Sequence, residues 1–148
     1  MLSNIERWKG WLIMAMIAWD EKYSVGVREL DAQHKQLVNL LNDLYEAMQA
    51  QKTNDVLGRI LSQLVSYTKN HFATEEKLMA QYGYPDLASQ KREHEAFTKK
   101  VVDFKESFDA GRTSLSVSLT SFVKDWLFSH IGGADKKYGP FLNSKGLK

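Results

Sequence analysis

Apolar residues recur at intervals of three and four along most of the chain, which is the period of an amphipathic helix. The first such stretch follows Asp31, and the polar residues 49–54 separate it from a second stretch. Asn54 is the predicted N-cap of the second helix, because an asparagine side chain accepts hydrogen bonds from free backbone N–H groups. The apolar faces carry Leu37, Val38, Leu41, Leu44, Tyr45 and Met48, and then Leu57, Ile60, Leu61, Leu64, Thr68, His71, Phe72, Leu78 and Met79.

Turn-forming residues mark the limits of two further helices. The Gly-Tyr-Pro stretch 83–85 ends the second helix, and Asp86 is the predicted cap of a third, which Gly111 ends. Thr113 or Ser114 is the predicted cap of the fourth helix. The faces of these helices carry Leu87, Gln90, His94, Phe97, Val101, Phe104 and Phe108, and then Leu115, Leu119, Phe122, Trp126, Leu127, His130 and Ile131.

Residues 114–120 alternate as a strand would, but no other alternating stretch after residue 31 could pair with them. The sequence therefore predicts an all-α fold, an antiparallel up-down-up-down four-helix bundle with an irregular N-terminal segment. We divide the chain into an N-terminal extension, residues 1–15, and a bundle domain, residues 16–148. A chain of 148 residues is long enough for one such domain.

The apolar run from Trp11 to Trp19 is too short to cross a bilayer, which takes about 20 residues. No small-residue cleavage site follows the run, so a secretory signal is not expected. We therefore expect a cytoplasmic protein without a membrane span. Because Met14 and Met16 lie inside the run, we interpret residues 1–13 as an upstream extension of the folded unit.

The composition excludes several kinds of site. Lys and Arg total 20 and Asp and Glu total 18, with the signs mixed along the chain, so a nucleic-acid partner is not expected. The absence of cysteine excludes thiolate metal sites, disulfides and cysteine nucleophiles. A metal would have to be held by histidine, carboxylate or amide oxygen. A monomer is the favoured oligomeric state.

The four histidines lie on the apolar faces of four different predicted helices and at similar heights along the bundle axis, counted in residues from the turns. His34 is 18 residues before the turn near residue 52 and His71 is 19 after it. His94 and His130 are each 18 residues from the turn near residue 112. Across the middle turn the two heights differ by three residues, about 4.5 Å of helix rise. The four imidazoles are therefore predicted to share one layer of the core.

Two carboxylates extend this layer. Glu75 follows His71 by four residues, which puts both on one helix face. Asp135 follows His130 by five, so a π-type turn, or a helix end at residues 132–133, must return it to that face. Imidazole and oxygen ligands suit iron, manganese or zinc. The number of donors predicts two metal ions bridged by the carboxylates.

The chain resembles the bacterial hemerythrins over about residues 16–140. The resemblance is carried by the stretches IAWDEKYSVGVRELDAQHKQLVNLLNDL, HFATEEKLMAQYGYPDL, HEAF and WLFSHIGGADKKYG. It implies two iron ions in an oxo- or hydroxo-bridged non-haem centre that binds dioxygen reversibly. It implies bridging roles for Glu75 and Asp135. The remaining ligand positions that match are His34, His71, His94 and His130.

One ligand position departs from the family pattern, which has two histidines four residues apart on the third helix. Here the first of them is Gln90 and the second is His94. In the family, the iron served by this helix has three histidines, whereas the iron corresponding to His34 and His71 keeps an open position for oxygen. Gln90 could bind through its side-chain oxygen, water could replace it, or the affected metal could be lost; we favour a retained dinuclear site. Glu93 is not an expected substitute, because it lies about 100° round the helix from His94.

The resemblance also implies an apolar oxygen pocket, although the same residues could be ordinary bundle core. Tyr138 either hydrogen-bonds near the site or packs as an aromatic at the helix end. The pocket residues are Leu37, Phe72, Trp126, Leu127 and Ile131.

The leading functional hypothesis is a dioxygen-binding protein for carriage, storage or delivery, with no catalytic residues. Gln90 motivates an alternative, a diiron peroxidase or oxidase. An oxygen or nitric oxide sensor, or an iron store, ranks last because nothing outside the bundle provides an output. Ser/His/Asp catalysis is not supported, because the metal layer uses every histidine, and glycine-rich phosphate loops are absent.

Overall fold

The computed structural model describes residues 18–112, 114 and 117–148, with side chains for all of these except 117–119. The predicted division near residue 15 and the interpretation of residues 1–13 lie outside this part. The described residues form the predicted all-helical antiparallel bundle. Its helices are α1 (Arg28–Gln49), α2 (Asn54–Tyr82), α3 (Leu87–Asp109) and α4 (Val117–His130), preceded by a 3-10 turn (Glu21–Tyr23) and followed by a π turn (Ile131–Asp135) and a short α5 (Lys136–Ser144).

The N-terminal loop is tied to the first turn of α1 by a single carboxylate. Asp31 accepts hydrogen bonds from the Ser24 hydroxyl at 2.6 Å and from the Val25 backbone N–H at 2.8 Å. Val27, which precedes the helix, makes no side-chain cap. Asp31 thus fixes the N-terminal loop to the first turn of α1, which has no side-chain cap.

One predicted helix start needs correction. The N-cap of α2 is Thr53, whose hydroxyl accepts a hydrogen bond from the Val56 N–H, whereas Asn54 is already the first helical residue. An N-cap needs an extended backbone, which Thr53 has. Asp86 is the N-cap residue of α3, as predicted, although its side chain makes no capping hydrogen bond.

The structure describes the fourth helix only from Val117 onward. Residues 113 and 115–116 lie outside the described residues, so the predicted cap at Thr113 or Ser114 stays a prediction. The backbone does not leave the helix at Gly132 and Gly133, because the π turn carries it on into α5.

Seven polar residues form a buried layer across the bundle, which we call the polar layer. A large apolar core that includes Leu41, Leu61 and Phe97 lies on one side of it. A smaller core that includes Leu30 and Met79 lies on the other. The polar layer is composed of His34, His71, Glu75, Gln90, His94, His130 and Asp135.

The short helix α5 closes the end of the bundle near the smaller core. Gly139 packs directly on the backbone carbonyl of Val25, where a Cβ atom would overlap that oxygen. Asn143 donates a hydrogen bond to the Gly26 carbonyl at 2.9 Å. These contacts hold α5, and with it the residues after the π turn, against the N-terminal loop. No helix within residues 18–112 or 117–148 is long and apolar enough to cross a membrane.

Candidate metal centre

The polar layer divides into two groups of possible metal ligands that share both carboxylates. One group is His34, His71, Glu75 and Asp135. The other replaces the two histidines with His94 and His130. Within each group the ligand atoms lie within 4.8 Å of one another, and every residue is buried. The structure therefore brings together the four histidines and two carboxylates singled out from the sequence.

In the first group, imidazole nitrogens face carboxylate oxygens. His34 Nε2 is 3.6 Å from Glu75 Oε1 and 3.3 Å from Asp135 Oδ2. His71 Nε2 is in direct contact with Glu75 Oε1, one turn further along α2. Glu75 and Asp135 thus approach this group from α2 and from the π turn.

In the second group, two imidazoles face each other. The Nε2 atoms of His94 and His130 are 2.9 Å apart, and His130 Nε2 is 3.0 Å from Asp135 Oδ1. Gln90 lies beside them, 2% exposed, and its side-chain amide donates a hydrogen bond to Asp135 Oδ1 at 3.2 Å. Gln90 is therefore part of the layer, on the side of His94 and His130.

The π turn accounts for the five-residue spacing between His130 and Asp135. A regular α-helix would turn residue 135 away from the face of residue 130, and the wider π turn over Ile131–Asp135 returns it. Asp135 is fully buried as a result. Of the two backbone solutions that the sequence left open, the structure uses the π turn.

The outer nitrogens of three histidines are hydrogen-bonded to residues on neighbouring helices. His71 Nδ1 is 2.6 Å from Gln33 Oε1. His94 Nδ1 is 3.0 Å from Glu76 Oε2, and His130 Nδ1 is 2.8 Å from Glu93 Oε2. An ionised carboxylate only accepts hydrogen bonds, so His94 and His130 each carry the proton on Nδ1. Their Nε2 atoms face the centre of the layer, where they can bind a metal ion once they are deprotonated.

These outer residues were not identified from the sequence. The sequence pattern indicates no role for Gln33 or Glu76, and it excludes Glu93 as a metal ligand without suggesting another role. Each of the three directly flanks a residue of the polar layer in sequence, but contacts a histidine on the adjacent helix. The sequence feature that could have identified these supporting residues is a polar side chain directly beside a candidate ligand.

The nitrogen and oxygen atoms of the polar layer are suited to bind positively charged ions. The Nε2 atoms of His94 and His130 are 2.9 Å apart, so they need a proton or a metal ion between them. Several buried donor atoms also have no hydrogen-bond partner among the described residues, a state that costs free energy in a protein interior. They are Nδ1 of His34, Oε2 of Glu75 and Oε1 of Gln90. Two groups that share two carboxylates match two ions.

The electrostatics keep Glu75 ionised. Burial alone would raise the pKa of Glu75, but the adjacent imidazoles of His71 and His34 hold it well below its usual range. For His34, burial lowers the pKa, yet hydrogen bonds and charge from Asp135 and Glu75 outweigh this and raise it to about 9. The buried layer therefore has a strong preference for positive charge beside its carboxylates.

Aromatic residues pack directly against the histidines of the second group. Phe72 stacks on His94 with ring centroids 3.9 Å apart. Trp126, which is half-buried, stacks on His130 at 4.6 Å and on Phe97 at 4.0 Å. The other residues of the sequence-predicted pocket, Leu37, Leu127 and Ile131, are buried.

Tyr138 lies in α5 and is fully buried. Burial raises its pKa well above the ordinary value, and the charges of Glu75 and Asp135 raise it further. The phenol therefore remains protonated beside the carboxylates. This environment favours the interpretation of Tyr138 as a residue near the site over that of a peripheral packing aromatic.

Comparisons with known proteins agree with this geometry. A family described as Hemerythrin HHE cation binding domain matches residues 25–142. A bacteriohemerythrin of Stenotrophomonas maltophilia (strain R551-3) is 38% identical over 125 residues, covering 84% of this chain and 80% of the relative. A bacteriohemerythrin of Methylococcus capsulatus is 33% identical over 88% of this chain and 100% of its own length. A crystal structure of wild-type hemerythrin superposes with a TM-score of 0.82 at 34% identity, covering 86% of this chain and 98% of that one.

Proposed function

The chain belongs to the hemerythrin family, and on that premise we propose that it binds dioxygen reversibly at two iron ions held in the polar layer. The observation that carries the proposal is the pair of ligand groups joined by two shared carboxylates. Two ferrous ions in such a site would supply the electrons that reversible dioxygen binding needs. The role would be carriage, storage or delivery of oxygen.

Each half of the polar layer would hold one ion. His34 and His71 would hold the ion that binds dioxygen, and His94 and His130 would hold the other, with Glu75 and Asp135 belonging to both sites. Histidine and carboxylate are ligands that iron accepts, and the absence of cysteine is consistent with this choice of metal. Gln90 belongs to the half that contains His94.

The apolar residues around the layer would keep water away from both of its halves. Leu37, Phe72, Leu127 and Ile131 are buried, and the Phe72 ring lies 6.0 Å from that of His71. Trp126 stacks on His130, in the other half of the layer. Neutral dioxygen enters such surroundings more readily than water or charged oxidants do. We propose that these five residues form the oxygen pocket and slow the irreversible oxidation of the centre.

We propose further that Gln90 is a ligand through its side-chain oxygen. Asp135 is an acceptor, so the amide nitrogen of Gln90 must face it, and this leaves Oε1 buried without a hydrogen-bond partner among the described residues. A buried amide oxygen in that state favours a cation as its partner. Of the three alternatives for Gln90, this one best explains both ends of its amide group.

Gln90→Leu tests the ligand role. Leucine is similar in size but has no oxygen donor, so we expect the affinity for one of the two metal ions to fall by about 10- to 100-fold, which is typical of disturbed metal sites. Gln90→His supplies an imidazole and is expected to bind both ions at least as tightly as the natural chain. Chelator competition followed by metal analysis measures both variants. Equal affinities for the leucine variant and the natural protein would exclude Gln90 as a ligand.

The enzyme alternative makes a separate prediction on the same iron-loaded protein. A diiron peroxidase or oxidase would turn over hydrogen peroxide steadily with an electron donor, whereas an oxygen binder would not. Sensing and iron storage stay as alternatives, and the expectations of a cytoplasmic location and a monomer stay predictions.

A further inference from the structure

The four histidines differ in what supports their outer nitrogens. In the half of the layer that contains Gln90, both histidines are backed by carboxylates: Glu76 supports His94, and Glu93 supports His130. In the other half, the neutral amide of Gln33 supports His71. Nδ1 of His34 has no hydrogen-bond partner among the described residues. The negatively charged supports are therefore confined to one half.

A carboxylate behind an imidazole has two effects on that imidazole as a ligand. It fixes the tautomer and the orientation of the ring, and it increases the electron density that the inner nitrogen donates to a metal. A neutral amide also fixes the tautomer and the ring orientation, but it increases the electron density on the inner nitrogen much less. His94 and His130 should therefore be stronger donors than His71 and His34.

His94 and His130 lie in the same half of the layer as Gln90, which takes the place of a third histidine ligand in the family pattern. An amide oxygen such as that of Gln90 is a poorer ligand for iron than an imidazole. Resting on the function proposed above, we infer that Glu76 and Glu93 are positioning residues that compensate for Gln90 and keep the second metal ion bound. Removing their charge should weaken that ion more than the ion at His34 and His71.

The supports also connect the helices that frame this half. Glu76 reaches from α2 to His94 on α3, and Glu93 reaches from α3 to His130 on α4. Both carboxylates are partly open to solvent, with side chains 26% and 48% exposed. Replacing either one therefore leaves no charged group stranded in the core. Metal binding can thus be tested without a large folding penalty.

The charge-removing variants are Glu76→Gln and Glu93→Gln. Glutamine keeps a hydrogen-bond acceptor of the same length, so the ring orientation is retained while the negative charge is lost. We expect the metal affinity of one of the two sites to fall by about 10-fold or more in each variant. Cobalt(II) is the probe, since its visible absorption reports each site as it fills, and a competing chelator gives the two affinities. Glu95→Gln is the matched control, because Glu95 is exposed and lines the same surface cleft as Glu76.

The same two substitutions made in the Gln90→His variant separate compensation for Gln90 from a general supporting role of the two carboxylates. In Gln90→His, a third imidazole replaces the weak donor, so the loss caused by Glu76→Gln or Glu93→Gln should shrink. Equal losses in the two backgrounds would overturn the compensation. So would unchanged cobalt affinity in both glutamine variants when the circular dichroism shows them folded. If the natural chain itself binds fewer than two ions, the proposed function fails instead.

Discussion

Glu75→Ala is expected to empty both metal positions, so that the iron content falls from about two per chain to near zero. Glu75 belongs to both ligand groups and is fully buried between them. Its loss removes a ligand from each ion and the negative charge that draws them together. His34→Ala should behave differently, because His34 belongs to only one group, and about one iron should remain. Iron analysis after anaerobic loading and removal of free metal measures both variants.

Glu95→Ala is the control for a carboxylate lost at the surface, and it should keep the iron content of the natural chain. Asp135→Ala should repeat the result of Glu75→Ala, since Asp135 is shared in the same way. A Glu75→Ala protein that still retains one tightly bound iron would contradict the bridging role.

Removing the metal is expected to lower the melting temperature by about 10 °C or more. A ligand that binds only the folded chain adds about 4 kcal/mol when its free concentration is 1,000 times its Kd. For a chain of this size, each kcal/mol corresponds to about 2–4 °C. Metal removal also leaves buried oxygen atoms, among them Oε2 of Glu75 and Oε1 of Gln90, without a partner among the described residues. Calorimetry of the loaded protein with and without a chelator measures the difference.

The metal-free Glu75→Ala variant provides the control for this experiment. It has lost both ions, so the chelator should leave its melting temperature unchanged. A chelator effect of the same size in the variant would show that the chelator acts elsewhere. Equal melting temperatures for the loaded and metal-free natural chain would contradict any contribution of the metal to stability.

Most of the fold follows from the sequence because helical periodicity is a local property. The apolar stripes and the turn at residues 83–85 predict the helices, and counting from the turns predicts that the histidines share a layer. The predictions about individual helix limits were less accurate. Thr53 and not Asn54 caps α2, since a cap depends on the backbone angles of one residue.

The residues outside the polar layer depend on features that periodicity does not determine. The hydrogen bonds of Gln33, Glu76 and Glu93 cross between helices, so they depend on how each helix is rotated about its axis. The close approach of Gly139 to the Val25 carbonyl likewise results from the path of the chain after the π turn. The π turn was anticipated because the Asp135 spacing has few backbone solutions.

The most direct test of the proposed function is to load the protein with iron without oxygen and follow its visible absorption as oxygen is admitted and then removed. We expect about two irons per chain and a charge-transfer band that appears with oxygen and disappears when the oxygen is taken away. One iron or none, or a band that forms once and decays to a ferric product, would contradict reversible dioxygen binding at this site.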